Sequence, residues 1–204
     1  MALITMLEGL ATANIRVIVV GGMAVRAHGV MRVTDAVDVC YETGYLNERA
    51  LVRLLRSWHA YPRDAVPNKT FRLTRRSLAL QDPMRLRTDH GYLDLLREVP
   101  HIGAYAEVAT FADTLHLSNG IELPLINIDK LIRAKELANR EKDREVLLAL
   151  RAQRALRLAE RLEKAAVVPP GGSSEALPAT PIPESTAPKY TPKHTPKHTP
   201  KKGR

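Results

Sequence analysis

Residues 18–39, IVVGGMAVRAHGVMRVTDAVDV, constrain the fold more than any other stretch of the chain. Arg16 to Val20 is a short β-branched run with the length and composition of a buried strand. Gly21 and Gly22 follow, and without a Cβ they let the backbone turn sharply and come close to a ligand. Met23 to His28 is rich in helix formers, so the pattern predicts a strand–turn–helix unit with backbone N–H groups exposed at the helix start. That arrangement suits a polyphosphate. Thr34 to Cys40 is a second extended run, along which alternation predicts that positions 34, 36 and 38 share one face while Asp35 points the other way. Two carboxylates spaced by one residue on such a face can hold hard divalent cations that neutralise phosphate charge and activate an attacking oxygen. Here only Asp38 stands on that face, and position 36 is an alanine.

With these residues in place, the sequence resembles the nucleotidyltransferase superfamily, specifically the minimal bacterial proteins grouped with the AbiEii and MenT type toxins. The pattern that carries the resemblance is an apolar strand, Gly-Gly or Gly-Ser, about ten intervening residues and Asp-x-Asp, and it falls on Gly21, Gly22, position 36 and Asp38. Arg32 and Thr34 match an Arg-x-Thr-x-Asp-x-Asp form of it. Tyr92-Leu93-Asp94-Leu95-Leu96 looks like the strand carrying the third carboxylate, at Asp94. The segment from Ile128 through Lys135, followed by Lys142-Asp143, is similar to the helical region that supplies a lysine and a Lys-Asp pair.

The resemblance implies an α/β (α+β) fold: a polymerase-beta-like mixed sheet with flanking helices and a C-terminal helical region. Residues 1–125 would form the nucleotidyltransferase core and 126–165 the helical region. Residues 166–204 would form a disordered, basic tail rich in Pro, Thr and Lys. It also implies Mg²⁺ or Mn²⁺ as cofactor and an NTP as substrate. Metal ligands would be Asp38, Asp94 and an aspartate expected where Ala36 stands, and these three positions would also be the catalytic ones. Gly21, Gly22, Arg32, Thr34, Lys135 and Asp143 would bind nucleotide.

Ala36 has two readings, a natural pseudoenzyme or an active protein whose first metal-binding aspartate has been replaced. The second is favoured, because drift after loss of activity tends to erode Asp38, Asp94 and the Gly-Gly turn together. Asp35 could take the place of position 36 only through a register slip that flips the whole strand.

Composition narrows the partners. Lys and Arg outnumber Asp and Glu 31 to 22, which favours an anionic partner. The single cysteine, Cys40, excludes intrachain disulfides and Cys-rich zinc sites and suits a reducing cytoplasm. No apolar run reaches membrane-spanning length and no signal-like leader is present, so a cytoplasmic protein without a membrane partner is expected. From about residue 166 the chain has almost no large apolar residues, and it ends in repeats of the form Lys-His-Thr-Pro, as at Lys193–Pro196 and Lys197–Pro200. Such a segment cannot offset its ordering entropy. It reads either as a solubilising tail or as an auxiliary RNA contact.

A coarse pass predicts helices at 3–13, 23–29, 48–58 and 104–109, with Asn47 as N-cap of the third, and a long helical region from Ile128 to about Lys164. Strands are expected at 16–20, 35–41 and 91–96, as a pair at 71–74 and 77–80, and around the Asn119-Gly120 hairpin turn. Arg72, Arg75, Arg76, Arg85 and Arg87, with Lys69 just before them, form a dense basic stretch leading to Asp94. They read either as solvated hairpin charges or as an RNA-binding rim. Lys135 is either solvated or a point charge for nucleotide phosphates, with Asp143 on about the same helix face to orient it. Arg154, Arg157, Arg161 and Lys164 make a basic helical stripe, self-paired with Glu160 and Glu163 or open to a tRNA stem. His28 reads as structural or as approaching bound nucleotide.

The expected reaction is transfer of NMP from an NTP to an RNA hydroxyl, the tRNA 3′ end above all, by a toxin restrained by a cognate antitoxin. This chain would be its inactive position-36 variant. The rivals are transfer to a protein or aminoglycoside hydroxyl and a noncatalytic nucleotide- or RNA-binding module. The sequence leaves the oligomeric state open.

Overall fold

A computed structural model of the chain describes residues 2–65 and 71–166, all within one unit, Met1–Val167. Lys69 and the Pro/Thr/Lys-rich tail lie outside the described residues. In chain order the helices are α1 (Ala2–Thr12), α2 (Gly21–Ala27), α3 (Tyr45–Ser57), α4 (Arg75–Leu78), α5 (Tyr105–Ala109), α6 (Ile128–Ala138) and α7 (Arg144–Ala166). The strands are β1 (Val17–Val20), β2 (Ala36–Tyr41), β3 (Tyr61–Pro62), β4 (Met84–Thr88), β5 (Gly91–Leu96), β6 (Glu98–Val99), β7 (Gly103–Ala104), β8 (Asp113–His116) and β9 (Glu122–Leu125).

Seven strands form one mixed sheet in the order β3-β4-β5-β2-β1-β9-β8. β2 runs antiparallel to β1 and parallel to β5, while β1 is parallel to β9. A mixed sheet with flanking helices and a helical C-terminal region is the architecture expected of the sequence. Val37, Val39, Leu93, Leu95, Met84 and Leu86 are buried on one face. Burying each such side chain contributes about 1.5–3 kcal/mol relative to leaving it in water. Helix α1 covers this face: the Thr88 hydroxyl lies 3.6 Å from Met6 Sδ, and Gly9 packs against the Trp58 ring. Ala36, Asp38, Tyr92, Asp94, Arg85 and Arg87 alternate onto the opposite face.

Two expectations are corrected. The strand pair at 71–74 and 77–80 does not form, because Thr74 and Ser77 satisfy each other's backbone N–H groups across the first turn of α4, at 3.2 and 2.7 Å. The partner of β5 is instead β4, seven residues further on. Asn47 is not an N-cap: α3 starts at Tyr45, and the buried Asn47 amide bridges Arg16 and Glu42 at 2.8 to 3.0 Å, tying α3 to β1 and β2. The expected helical region from Ile128 to about Lys164 is present as α6 and α7, which part at Asn139, with a left-handed φ of 45°, and at a single 3₁₀ turn over Glu141–Asp143. The Asn119-Gly120 signal does mark the turn between β8 and β9, where Gly120 has a φ of +80°.

Candidate active site

The Gly-Gly corner packs against the protein's own side chains. Gly21 has a φ of +59°, and a Cβ there would lie 2.1 Å from Asp38 Oδ2. A Cβ on Gly22 would lie 2.6 Å from Thr34 Oγ1. The Gly22 N–H donates to Asp38 Oδ2 at 3.2 Å, so one of the N–H groups expected to face a phosphate is engaged by a carboxylate. Thr34 precedes β2 and reaches the corner from a loop, its hydroxyl donating to the Ala36 carbonyl at 3.0 Å. Burial pushes the Asp38 carboxyl above the ordinary carboxylate range and the Gly22 N–H opposes the rise; Asp94 adds to it, while Lys135 and Arg63 oppose it.

Across the sheet, the parallel register sets Asp38 opposite Asp94 and Ala36 opposite Tyr92. Asp94 is held by a residue that sequence reading missed. Arg63 Nη2 lies 2.6 Å from Asp94 Oδ1, and the guanidinium carbon sits 4.4 Å from the Tyr92 ring centroid. The Arg63 backbone N–H donates to the Arg85 carbonyl at 3.0 Å, prolonging the β3–β4 pairing that aims the side chain inward. Burial raises the Asp94 carboxyl pKa; Arg63 and then Arg85 oppose the shift, and Asp35 and Asp64 reinforce it. Strand β2 begins at Ala36, so Asp35 lies outside the strand's alternation. Its side chain is exposed, and its charge only adds to the rise at Asp94 that burial causes.

Lys135 and Arg32 share one buried acceptor. Their nitrogens lie 2.9 and 3.4 Å from Asp143 Oδ1, and Asp143 is 3% exposed. The left-handed turn after α6 folds Asp143 back over Lys135. Because the Lys135 charge acts on Asp38, this cluster belongs to the surroundings of the carboxylates. A cleft of about 580 Å³ is lined by Arg26, Arg32 and Thr34 among others.

The expected basic rim is divided. Arg85 and Arg87 stand opposite Asp94 and Tyr92 on the site face. Arg75 instead pairs with Glu48 at 2.8 Å and lies over the Tyr45 ring at 4.6 Å. Glu48 acts on the Tyr41 hydroxyl, at the end of β2 away from Ala36. Arg72 and Arg76 are exposed. On α7, Arg154 pairs with Asp129 and Arg157 reaches His28, so half of the basic stripe fastens the helix down. His28 is buried, with Nε2 2.8 Å from the Ile126 carbonyl and Nδ1 accepting from Arg157 at 3.0 Å, which is a structural placement.

The residues present do not complete the expected site for Mg²⁺ or Mn²⁺. Among the described residues no group of three or more His, Cys, Asp or Glu is placed to hold one. Asp38 Oδ2 accepts from Gly22 and Asp94 Oδ1 from Arg63, which leaves one oxygen of each carboxylate without a bond at those contacts, and the third expected carboxylate is a methyl group. Among the described residues, no helix is long and apolar enough to cross a membrane.

No protein-family model matches the sequence, and no curated protein matches it. Among solved structures the chain is similar to the solution structure of the antibiotic-resistance factor ANT(2'')-Ia, with a TM-score of 0.45 and 15% identity over 81% of this chain and 92% of that one. A likeness of that degree fixes neither substrate nor reaction.

Proposed function

We propose that the chain is a nucleotidyltransferase of the minimal AbiEii/MenT toxin type in which Ala36 has suspended transfer and left nucleotide binding. The observation that carries this reading is the site face itself: Asp38 beside the glycine corner, Asp94 directly across from it, and a methyl group at position 36 between Asp38 and the loop that bears Thr34 and Arg32. In the reaction, the acceptor oxygen attacks the α-phosphorus of the NTP, pyrophosphate leaves and the hydroxyl proton passes to a base. Asp94 is the proton acceptor, since burial raises its affinity for a proton. Lys135 and Arg32 hold the triphosphate as cations already positioned by Asp143. Gly21 and Gly22 let the corner close on Asp38 and Thr34 and so hold both side chains at the nucleotide site.

RNA is the acceptor class, with the tRNA 3′ end first and a cytoplasmic antitoxin as protein partner. The surplus of 31 basic over 22 acidic residues supports an anionic acceptor and disfavours a cationic aminoglycoside. Ala36 itself favours one second reading, a noncatalytic nucleotide- or RNA-binding protein.

The test is to incubate the chain and its Ala36→Asp variant with total RNA, Mg²⁺ and each α-labelled NTP. The expected outcome is labelled tRNA with Ala36→Asp and background with the chain as it stands. Labelled protein would move the acceptor to a protein hydroxyl. RNA binding without label would favour the noncatalytic reading, and an Ala36→Asp protein that binds no NTP with Mg²⁺ would remove the assignment.

A further inference from the structure

Position 36 is opposite Tyr92, and side chains opposite each other on neighbouring strands are in contact range. The group lying over Tyr92 is the Arg63 guanidinium, 4.4 Å from the ring centroid and bonded to Asp94 at 2.6 Å. A positive charge therefore stands over β5 at the residue in register with Ala36, on the face that carries both carboxylates. Its surroundings do not satisfy it completely, because Nε is buried without a hydrogen-bond partner among the described residues. The side chain as a whole keeps 27% of its surface exposed, and it is this exposed part, not the buried Nε, that a ligand meets. Guanidinium is always charged and matches phosphate geometry with paired donors.

Resting on the nucleotide-site reading above, we propose that Arg63 is a built-in cation for the triphosphate. It supplies the charge neutralisation that a divalent ion would otherwise bring, so that this chain binds NTP phosphates without metal. The alanine is the other half of the arrangement. An aspartate at position 36 would face Tyr92 and draw the guanidinium to itself, returning the triphosphate to dependence on an added cation.

The experiment is calorimetric titration of the full chain with tripolyphosphate and with each of the four NTPs, once in EDTA and once with MgCl₂. The expected Kd in EDTA is within about threefold of that in Mg²⁺, and Arg63→Gln weakens the EDTA value by about tenfold or more. Arg63→Lys, which keeps the charge and loses the paired donors, falls between. Ala36→Asp makes binding metal-dependent by about tenfold. Arg151→Gln, on the α6–α7 surface, leaves binding unchanged, and thermal melts of every variant separate loss of binding from loss of fold.

Binding that appears only with Mg²⁺ would overturn the proposal and leave the nucleotide site standing. A folded Arg63→Gln or Arg63→Lys protein that binds in EDTA as tightly as the parent would do the same. Absence of binding under both conditions would overturn the proposal and the nucleotide-site reading together.

Discussion

Asp38 and Asp94 face each other in register on β2 and β5, yet the chain holds them by different means. Asp38 is fixed from nearby, by the N–H of a glycine sixteen residues before it and by a corner whose two glycines leave no room for a Cβ. Asp94 is fixed from the rim of the sheet, by a guanidinium thirty-one residues away on the continuation of an edge strand. Burial raises both carboxyls, but a neutral donor leads the opposition at Asp38 and a full positive charge leads it at Asp94. One half of the site is thus a rigid packing unit and the other an adjustable ion pair. A substitution in the first should cost stability, and one in the second should change ligand binding.

The largest expected effect is at the packing unit. Gly21→Ala combines a φ of +59° with a Cβ placed 2.1 Å from Asp38 Oδ2, and should cost roughly 2–4 kcal/mol in urea unfolding. Gly22→Ala should cost less, because the Thr34 hydroxyl 2.6 Å away can move on its loop. Equal and small costs at both glycines would break the contrast between the two halves.

Next is Asp143→Ala, which leaves Lys135 and Arg32 without their shared acceptor. Breaking a buried pair by removing one partner costs about 3–5 kcal/mol; Arg32 is 24% exposed and Lys135 12%, so about 2 kcal/mol is expected in a thermal melt. An unchanged melting temperature would mean that the cluster is not held by Asp143.

The carboxylates themselves give a pH test. A carboxyl whose pKa is raised on folding contributes stability that is fully present below its unfolded value of 3.8 and is lost as pH rises through the folded value. At neutral pH the ionised Asp38 therefore weakens the fold, and Asp38→Asn should raise the melting temperature there while making no difference in strong acid. Asp94→Asn should gain less, because it gives up the Arg63 pair. A larger gain at Asp94 would reverse the comparison.

The smallest effect lies outside the site and has the opposite sign. Burial lowers the His28 pKa, so its contribution is present above the ordinary value of 6.5 and is lost as pH falls through the folded value. Hydrogen exchange should show α7 loosening around Arg157 on mild acidification, before the sheet does.

What was legible in the sequence follows the same division. The meeting of Gly21, Gly22 and Asp38 at one corner was legible because a β-branched strand, a glycine turn and period-two alternation are local signals, whereas Asp94 was picked out by the family resemblance alone. The Asn119-Gly120 turn was legible for the same reason. Arg63 carried no such signal: it follows a strand of two residues, Tyr61–Pro62, and its direction is set by the pairing of that strand with β4. The expected strands at 71–74 and 77–80 failed because a Thr-x-x-Ser capping pair outweighed the apolar run. How the basic stretch divides was not legible, because Arg75 finds Glu48 and Tyr45 on α3, a contact between elements that spacing along the chain does not encode.

The central claim, that this face is a nucleotide site, is tested most directly by an NMR titration of the full chain with each NTP, following the backbone amides and the arginine side chains. The account predicts the largest shifts at Gly21, Gly22, Thr34 and Lys135 and at the Arg63 guanidinium, with Arg75 unmoved. No shift with any NTP, or shifts centred on Arg75 and the α3 surface, would contradict it.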